Sequence, residues 1–306
     1  MPVMTDRRLL GALLVAVSAV AFGSMAIFGV WAQRDGADTP ALILVRFSVA
    51  AAVLAVVLAV VRGRLGLVRP PWHRIWPVAA LGGIGYIGQA YCFFLALEYA
   101  QASLVALLLY LFPAFVAVLA AVFLRERIGL VTALALGLAL CGTFLVVGGG
   151  SGRPLGIALG VGAAVIYSLY ITIGSVVTRD LDALTVSTVV CAAASCVGGG
   201  IVLVLVAAGR SPSFPATAAG WGSLVAIALI GTVVAILTFF AGLALLGPTS
   251  ASVLSTLEPV VTVGLATWLL DESLTGVQAV GAALVLGAVV WLALEGRPTA
   301  DPLPPT

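Results

Sequence analysis

Few side chains in this 306-residue sequence can do chemistry, and most of those stand where charge is expensive. Glu258 is the outstanding case, deep in an apolar run with no charged neighbour before Asp271. Pro259 follows it, and a proline ring removes the N–H that the Ser255 carbonyl expects and bends the helix. A carboxylate beside a freed carbonyl suits a proton, a cation or an ammonium group. Glu258 therefore either binds a substrate amine or titrates as the site of a coupling proton. The competing reading is that it hydrogen-bonds a neighbouring helix and only fixes packing. Arg46 is the one basic residue inside an apolar run. Either it faces a cavity and attracts a carboxylate, or its head snorkels to the outer headgroups.

Uncharged polar and aromatic side chains supply the other candidates. Tyr86, Gln89 and Tyr91 fall in one run, Tyr110 and Phe112 stand just before Pro113, and Tyr167 and Tyr170 are one helical turn apart. Tyr86, Gln89 and Phe93 share one helical face. Such a face fits a pocket with apolar walls and a few placed polar groups, and equally a helix–helix contact. Other chemistries lack their parts. Cys92, Cys141, Cys191 and Cys196 have no CxxC spacing, and His73 is the single histidine, so no disulfide framework or metal centre is indicated. Gly83-Ile84-Gly85-Tyr86-Ile87-Gly88 matches a dinucleotide-binding pattern, but without a strand before it the glycines read as helix-packing positions. Neither a Walker A nor a GxSxG element is present, and no cofactor is expected.

The elements that hold these residues follow from composition. Hydrophobic types make up 62% and charged types 8% of the chain. Soluble domains run near 45–50% apolar and about 25% charged. A soluble globule or a disordered chain is thereby excluded, and a net charge of +2 offers no face for nucleic acid. The lipid bilayer is the expected solvent, and its core of roughly 30 Å takes about 20 apolar residues per helix. Ten runs qualify: Leu9–Trp31, Ala41–Val61, Ile75–Leu97, Ala102–Leu124, Gly129–Gly148, Leu155–Val177, Ala183–Ala208, Trp221–Leu246, Ser250–Leu270 and Gly276–Leu294. Arg7-Arg8 followed by Ala19-Val20-Ala21 imitates a signal peptide, yet the run continues to Trp31 and reads as the first span. Arg7, Arg8, Arg62, Arg64, Arg69, Arg74, Arg125, Arg127, Arg179 and Arg297 fall on the side of both termini, against Arg34, Arg153 and Arg210 opposite. This bias places both ends in the cytoplasm. Trp31, Trp72, Trp76 and Trp221 read as interface residues.

The sequence also repeats itself. Phe93-Phe94, Leu97, Ser103, Pro113 and Leu124-Arg125-Glu126 recur in register as Phe239-Phe240, Leu243, Thr249, Pro259 and Leu270-Asp271-Glu272, and Gly85 maps to Gly231. The expected organisation is a first repeat over 1–149, a second over 153–296 and a cytoplasmic tail over 297–306. Each half holds five spans, an odd number, so the second must enter the membrane from the opposite side. The expected fold is an all-α polytopic membrane protein, ten transmembrane helices as two inverted five-helix repeats, as in many secondary transporters. Pro113 and Pro259 become equivalent hinge points. Glu98 is expected at the outer end of the third span, and Glu126 and Glu272 in helix-end or gating roles.

Ala96-Leu97, Ala102-Ser103, Pro113 and Glu126, with the second copy Leu254-Ser255-Thr256-Leu257-Glu258-Pro259 and Glu272, resemble the EamA repeat of the drug/metabolite transporter superfamily. Phe22-Gly23-Ser24 and Arg46-Phe47 match its pattern too. The resemblance covers nearly the whole chain. It implies ten helices, cytoplasmic termini and a central cavity lined mainly by helices 1, 3, 4, 6, 8 and 9, which adds Ser24 to the candidate contacts. It also implies export of small metabolites, often amino acids or their relatives.

The expected function is thus a non-enzymatic secondary transporter, an exporter of small amphipathic metabolites across a bacterial inner membrane by alternating access. Its partners would be a small-molecule substrate, protons as candidate coupling ions and the bilayer, with the chain a monomer or a homodimer. Glu258, Tyr86, Gln89, Tyr110, Tyr167, Tyr170, Arg46 and Ser24 are the candidate substrate contacts. Competing readings are a membrane enzyme acting on a lipid-like substrate, for which the loops supply only the close pair Asp180 and Asp182, and a non-transporting scaffold.

Overall fold

The computed structural model describes residues 2–65, 70–123, 130–148, 152–178, 181–246, 254–255 and 257–295. Within them the secondary structure is helical. The helices are α1 (Pro2–Arg34), α2 (Thr39–Leu65), α3 (Trp72–Ala80) and α4 (Ile87–Ala96), then α5 (Ala102–Leu109), α6 (Phe112–Phe123) and α7 (Leu130–Gly148). The second half holds α8 (Pro154–Val177), α9 (Ala183–Ala207), α10 (Ala218–Ala228), α11 (Ala235–Leu246), α12 (Leu257–Leu269) and α13 (Gly276–Glu295). Two π-helical turns, π1 (Leu81–Tyr86) and π2 (Leu229–Val234), join α3 to α4 and α10 to α11. Among the described residues six helices are long and apolar enough to cross a membrane. Arg69, Leu124, Arg125, Glu126, Arg127, Gly149, Gly150, Ser151, Arg179, Asp180, Thr249 and Arg297 lie outside the described residues, as does the tail at 297–306.

Helices that are hydrophobic all round are those that stay buried or face lipid, and local signals decide where they start. Pro154 opens α8, where its missing N–H costs nothing. Asp182 caps α9 by accepting from the Thr185 amide at 2.8 Å. The third expected span is not a plain α-helix. Its middle, Leu81-Gly82-Gly83-Ile84-Gly85-Tyr86, is rich in glycine, which costs a helix more than any residue but proline, and it takes the wider π turn. Its glycines let it sit directly on α9, where a β-carbon on Gly82 would lie 2.6 Å from the Val190 backbone. The fourth expected span divides into α5 and α6 at Tyr110-Leu111. Proline disfavours helical geometry in the residue before it and removes one hydrogen bond, so the chain gives way upstream of Pro113.

Packing joins the halves throughout. Helix α1 lies against α10, π2, α11 and α12, while α8 lies against α3, π1, α4, α5 and α6. Helices α2 and α9 pack together, as do α7 and α13. Exchanging the two halves maps these pairs onto one another. Trp72 and Trp76 are exposed at 74% and 55%.

On the face holding Arg34 and Arg210, the α1–α2 turn is bonded to the segment before α10. Asp38 donates its amide to the Ser213 carbonyl and Ala216 donates to the Asp35 carbonyl, at 3.0 and 3.1 Å. On the same face Asp271 adopts a left-handed conformation (φ 57°), which aspartate tolerates better than most residues. The turn presents Glu272 to the start of α5, where its carboxylate accepts from the Ala102 and Ser103 amides at 2.8 and 3.0 Å and from the Ser103 hydroxyl at 2.6 Å.

Candidate functional site

Helix α2 brings Arg46 to the centre of the bundle, where it is 2% exposed. It does not reach for the headgroups. Its Nε donates to the Thr232 hydroxyl at 3.0 Å and its Nη2 to the Tyr86 hydroxyl at 3.1 Å. The rings of Phe47, Tyr86 and Phe94 stand 4.9, 5.7 and 5.4 Å from the guanidinium carbon. Cation–π contacts are worth up to about 2 kcal/mol when desolvated. Among the described residues the partners of this permanent charge are therefore two hydroxyls and three ring faces, all neutral. An arginine always carries its proton and has five N–H donors, so donors remain for a further acceptor.

From Tyr86 an aromatic series leads away. Tyr86 stacks with Tyr170 at 5.4 Å, Tyr170 with Tyr167 at 5.9 Å, Tyr167 meets Phe112 edge-on at 4.9 Å, and Phe112 meets Tyr110 at 5.8 Å. Residues three apart on α8 put Tyr167 and Tyr170 on one face, and the break before α6 turns Tyr110 and Phe112 towards them. The Glu258 carboxyl lies beside Tyr110, with Tyr167 and Tyr86 within its electrostatic reach.

At the Glu258 end the proline does what its chemistry requires. Pro259 has no N–H to give the Ser255 carbonyl, and the Tyr110 hydroxyl donates to it at 3.2 Å instead. This bond links α5 of the first half to α12 of the second. Helix α1 comes in from the other side. A β-carbon on Gly23 would sit 2.8 Å from the Glu258 carbonyl oxygen, and the Thr262 hydroxyl donates to the Gly23 carbonyl at 2.9 Å.

Arg46 is thus bonded to Tyr86, and the ring series leads from there through Tyr170, Tyr167 and Phe112 to Tyr110, which lies beside Glu258. Gln89 is buried on α4, 6% exposed. Ser24, next to Gly23, donates its hydroxyl to the Ala21 carbonyl at 2.8 Å within its own helix. Pro259 is buried at the start of α12, and Pro113 lies in the first turn of α6. Tyr91 is half-buried near Asp38 and Glu98, away from the series. Glu98 accepts from Thr39 at 2.6 Å.

Four contributors escaped the sequence reading: Thr232, Phe47, Phe94 and Cys191, the last within electrostatic range of both Arg46 and Tyr170. A threonine or cysteine in an apolar helix is ordinary, and only the match of Gly85 to Gly231 marked the neighbourhood of Thr232. The series has a cation at one end, a carboxyl at the other and aromatic rings between.

The EamA-like transporter family model matches residues 9–148 and again 154–294. Among solved structures, one crystal structure is similar to this chain with a TM-score of 0.62 at 22% identity, covering 93% of this chain and 96% of that one. At that identity the likeness shows the fold. A comparison with curated proteins finds no match.

Proposed function

Because the chain belongs to the EamA-like transporter family, a multi-pass membrane transporter family of the drug/metabolite transporter superfamily, we propose that it is a secondary exporter of small zwitterionic metabolites, amino acids and their relatives. The observation that supports this reading is the tyrosine series with Arg46 bonded at one end and Glu258 beside Tyr110 at the other. The substrate carboxylate takes the remaining guanidinium donors of Arg46, a charge-assisted interaction worth about 1.5–3 kcal/mol net. Its ammonium group takes Glu258 and the faces of Tyr110 and Tyr167. Gln89 and Ser24 complete the lining.

Ten spans form two five-helix repeats of opposite orientation, at 1–149 and 153–296, followed by a cytoplasmic tail at 297–306. Supporting this is the exchange of packing pairs between halves, with α1 against α10 to α12 on one side and α8 against α3 to α6 on the other. Both termini face the cytoplasm of a bacterial cell, in its inner membrane. Helices bend at Pro113 and Pro259 as the halves rock, exposing one substrate space first inward and then outward. The drive is the proton gradient, with Glu258 as the proton site, or exchange of substrate. A monomer contains both repeats and is a complete unit, as it would be within a homodimer.

Reconstitution into liposomes tests the proposal. Labelled amino acids, amines and dyes are offered with and without an imposed pH gradient. Movement of zwitterions, with simple amines and simple carboxylates excluded, is expected. Movement of dyes or simple amines alone, or of nothing, overturns it.

A further inference from the structure

The two π turns and Arg46 form one connected unit. Single π turns inside α-helices carry an extra residue and recur at functional sites. Here they occupy the corresponding helix of each half, π1 at Leu81–Tyr86 and π2 at Leu229–Val234. Arg46 reaches both, donating to Tyr86 in π1 at 3.1 Å and to Thr232 in π2 at 3.0 Å. Thr232 in turn donates to the Ile227 carbonyl, five residues back, at 3.0 Å. The Ile227 carbonyl is thereby tied, through one hydroxyl, to the guanidinium. Helix α2, which carries Arg46, packs against α9, where Ser48 meets Ser195 at 2.8 Å and Cys191 lies near Arg46. A single side chain between the halves can therefore answer to both turns.

We infer that Thr232 is a positioning residue and that Arg46, held between Thr232 and Tyr86, couples the two π turns so that the third helices of both halves change conformation together when substrate binds. This rests on the reading above, in which Arg46 receives the substrate carboxylate. Binding draws on the guanidinium donors that Thr232 and Tyr86 leave over. The pull is passed along both hydrogen bonds, and each π turn has an extra residue whose position along the helix can shift without unwinding it. Two bonds of this kind make the motion of one half costly without that of the other. The resulting switch is concerted.

Thr232→Val separates this from a purely structural role, since it keeps the shape and removes the hydroxyl. Binding and counterflow of labelled L-phenylalanine, a zwitterion with a ring to set against the tyrosines, are measured in the full-length reconstituted protein. Exchange should slow by about tenfold or more beyond any change in affinity, the worth of one hydrogen bond to a charged group. Thr232→Ser should restore exchange. Deletion of Ile230, which faces outward at 40% exposure, converts π2 to a regular helix and should likewise bind but exchange slowly. Where that deletion fails to fold, the valine and serine pair decides. Unchanged exchange in Thr232→Val overturns the inference, as does an equal loss of binding and exchange, which would make Thr232 a plain substrate contact. If the unaltered protein neither binds nor exchanges any zwitterion, it is the transport reading that fails, and the inference falls with it.

Discussion

Replacing Arg46 by glutamine removes the positive charge bonded to Tyr86 while keeping a polar head of shorter reach. Binding of an amino acid should weaken by about tenfold to a hundredfold, the size of one charge-assisted pair, as measured by equilibrium binding in detergent or nanodiscs. Lysine should rescue poorly, because a point charge cannot serve Thr232, Tyr86 and a carboxylate from one planar fork. At the other end, Glu258→Gln keeps shape and hydrogen bonding and removes the titrating group. If Glu258 carries the coupling proton, flux in this variant should no longer respond to an imposed pH gradient, although exchange persists. Full transport with an unaltered pH response would end the proton-site reading. Tyr110→Phe removes the donor to the Ser255 carbonyl and leaves that carbonyl for another partner. A loss near 1 kcal/mol, or more if the carbonyl stays dry, should appear as a lowered melting temperature.

Helices carry a second set of effects. Glu272 spans from the loop after α12 to the start of α5, satisfying two backbone amides and a hydroxyl with one carboxylate. Glu272→Ala removes a cap, so thermal stability should fall by roughly 1–2 kcal/mol, readable by differential scanning fluorimetry, with substrate affinity little changed. Residues of this kind were partly legible. Glu258 and Pro259 announced themselves because charge and proline are conspicuous in an apolar run, and the missing donor at Ser255 followed from the proline ring alone. Arg46 was equally conspicuous, but its direction was open, since a long side chain can bury its head or snorkel until its neighbours are known. The π turns were not legible: a helix apolar on every side has no period to read, so an extra residue leaves no trace in the hydrophobic pattern. Only the glycines at 82, 83 and 85 and the match at Gly231 hinted at them. Pro113 announced a bend in the fourth span, while the break itself fell upstream at Tyr110-Leu111, where the lost hydrogen bond is felt. Thr232 stayed hidden because its partner comes from a helix distant in sequence.

At the scale of the molecule, the halves meet through exchanged packing pairs and through the bond of Arg46, from the first half, to Thr232, from the second. In the proposed mechanism a substrate space between them opens to each side in turn. The most direct measurement places a single cysteine at Tyr167, with Cys92, Cys141, Cys191 and Cys196 replaced, and treats oriented proteoliposomes with a membrane-impermeant thiol reagent from each side. The account predicts that the same residue reacts from the inside and from the outside, and that saturating amino acid slows both reactions. Labelling from one side only, with or without substrate, would contradict it.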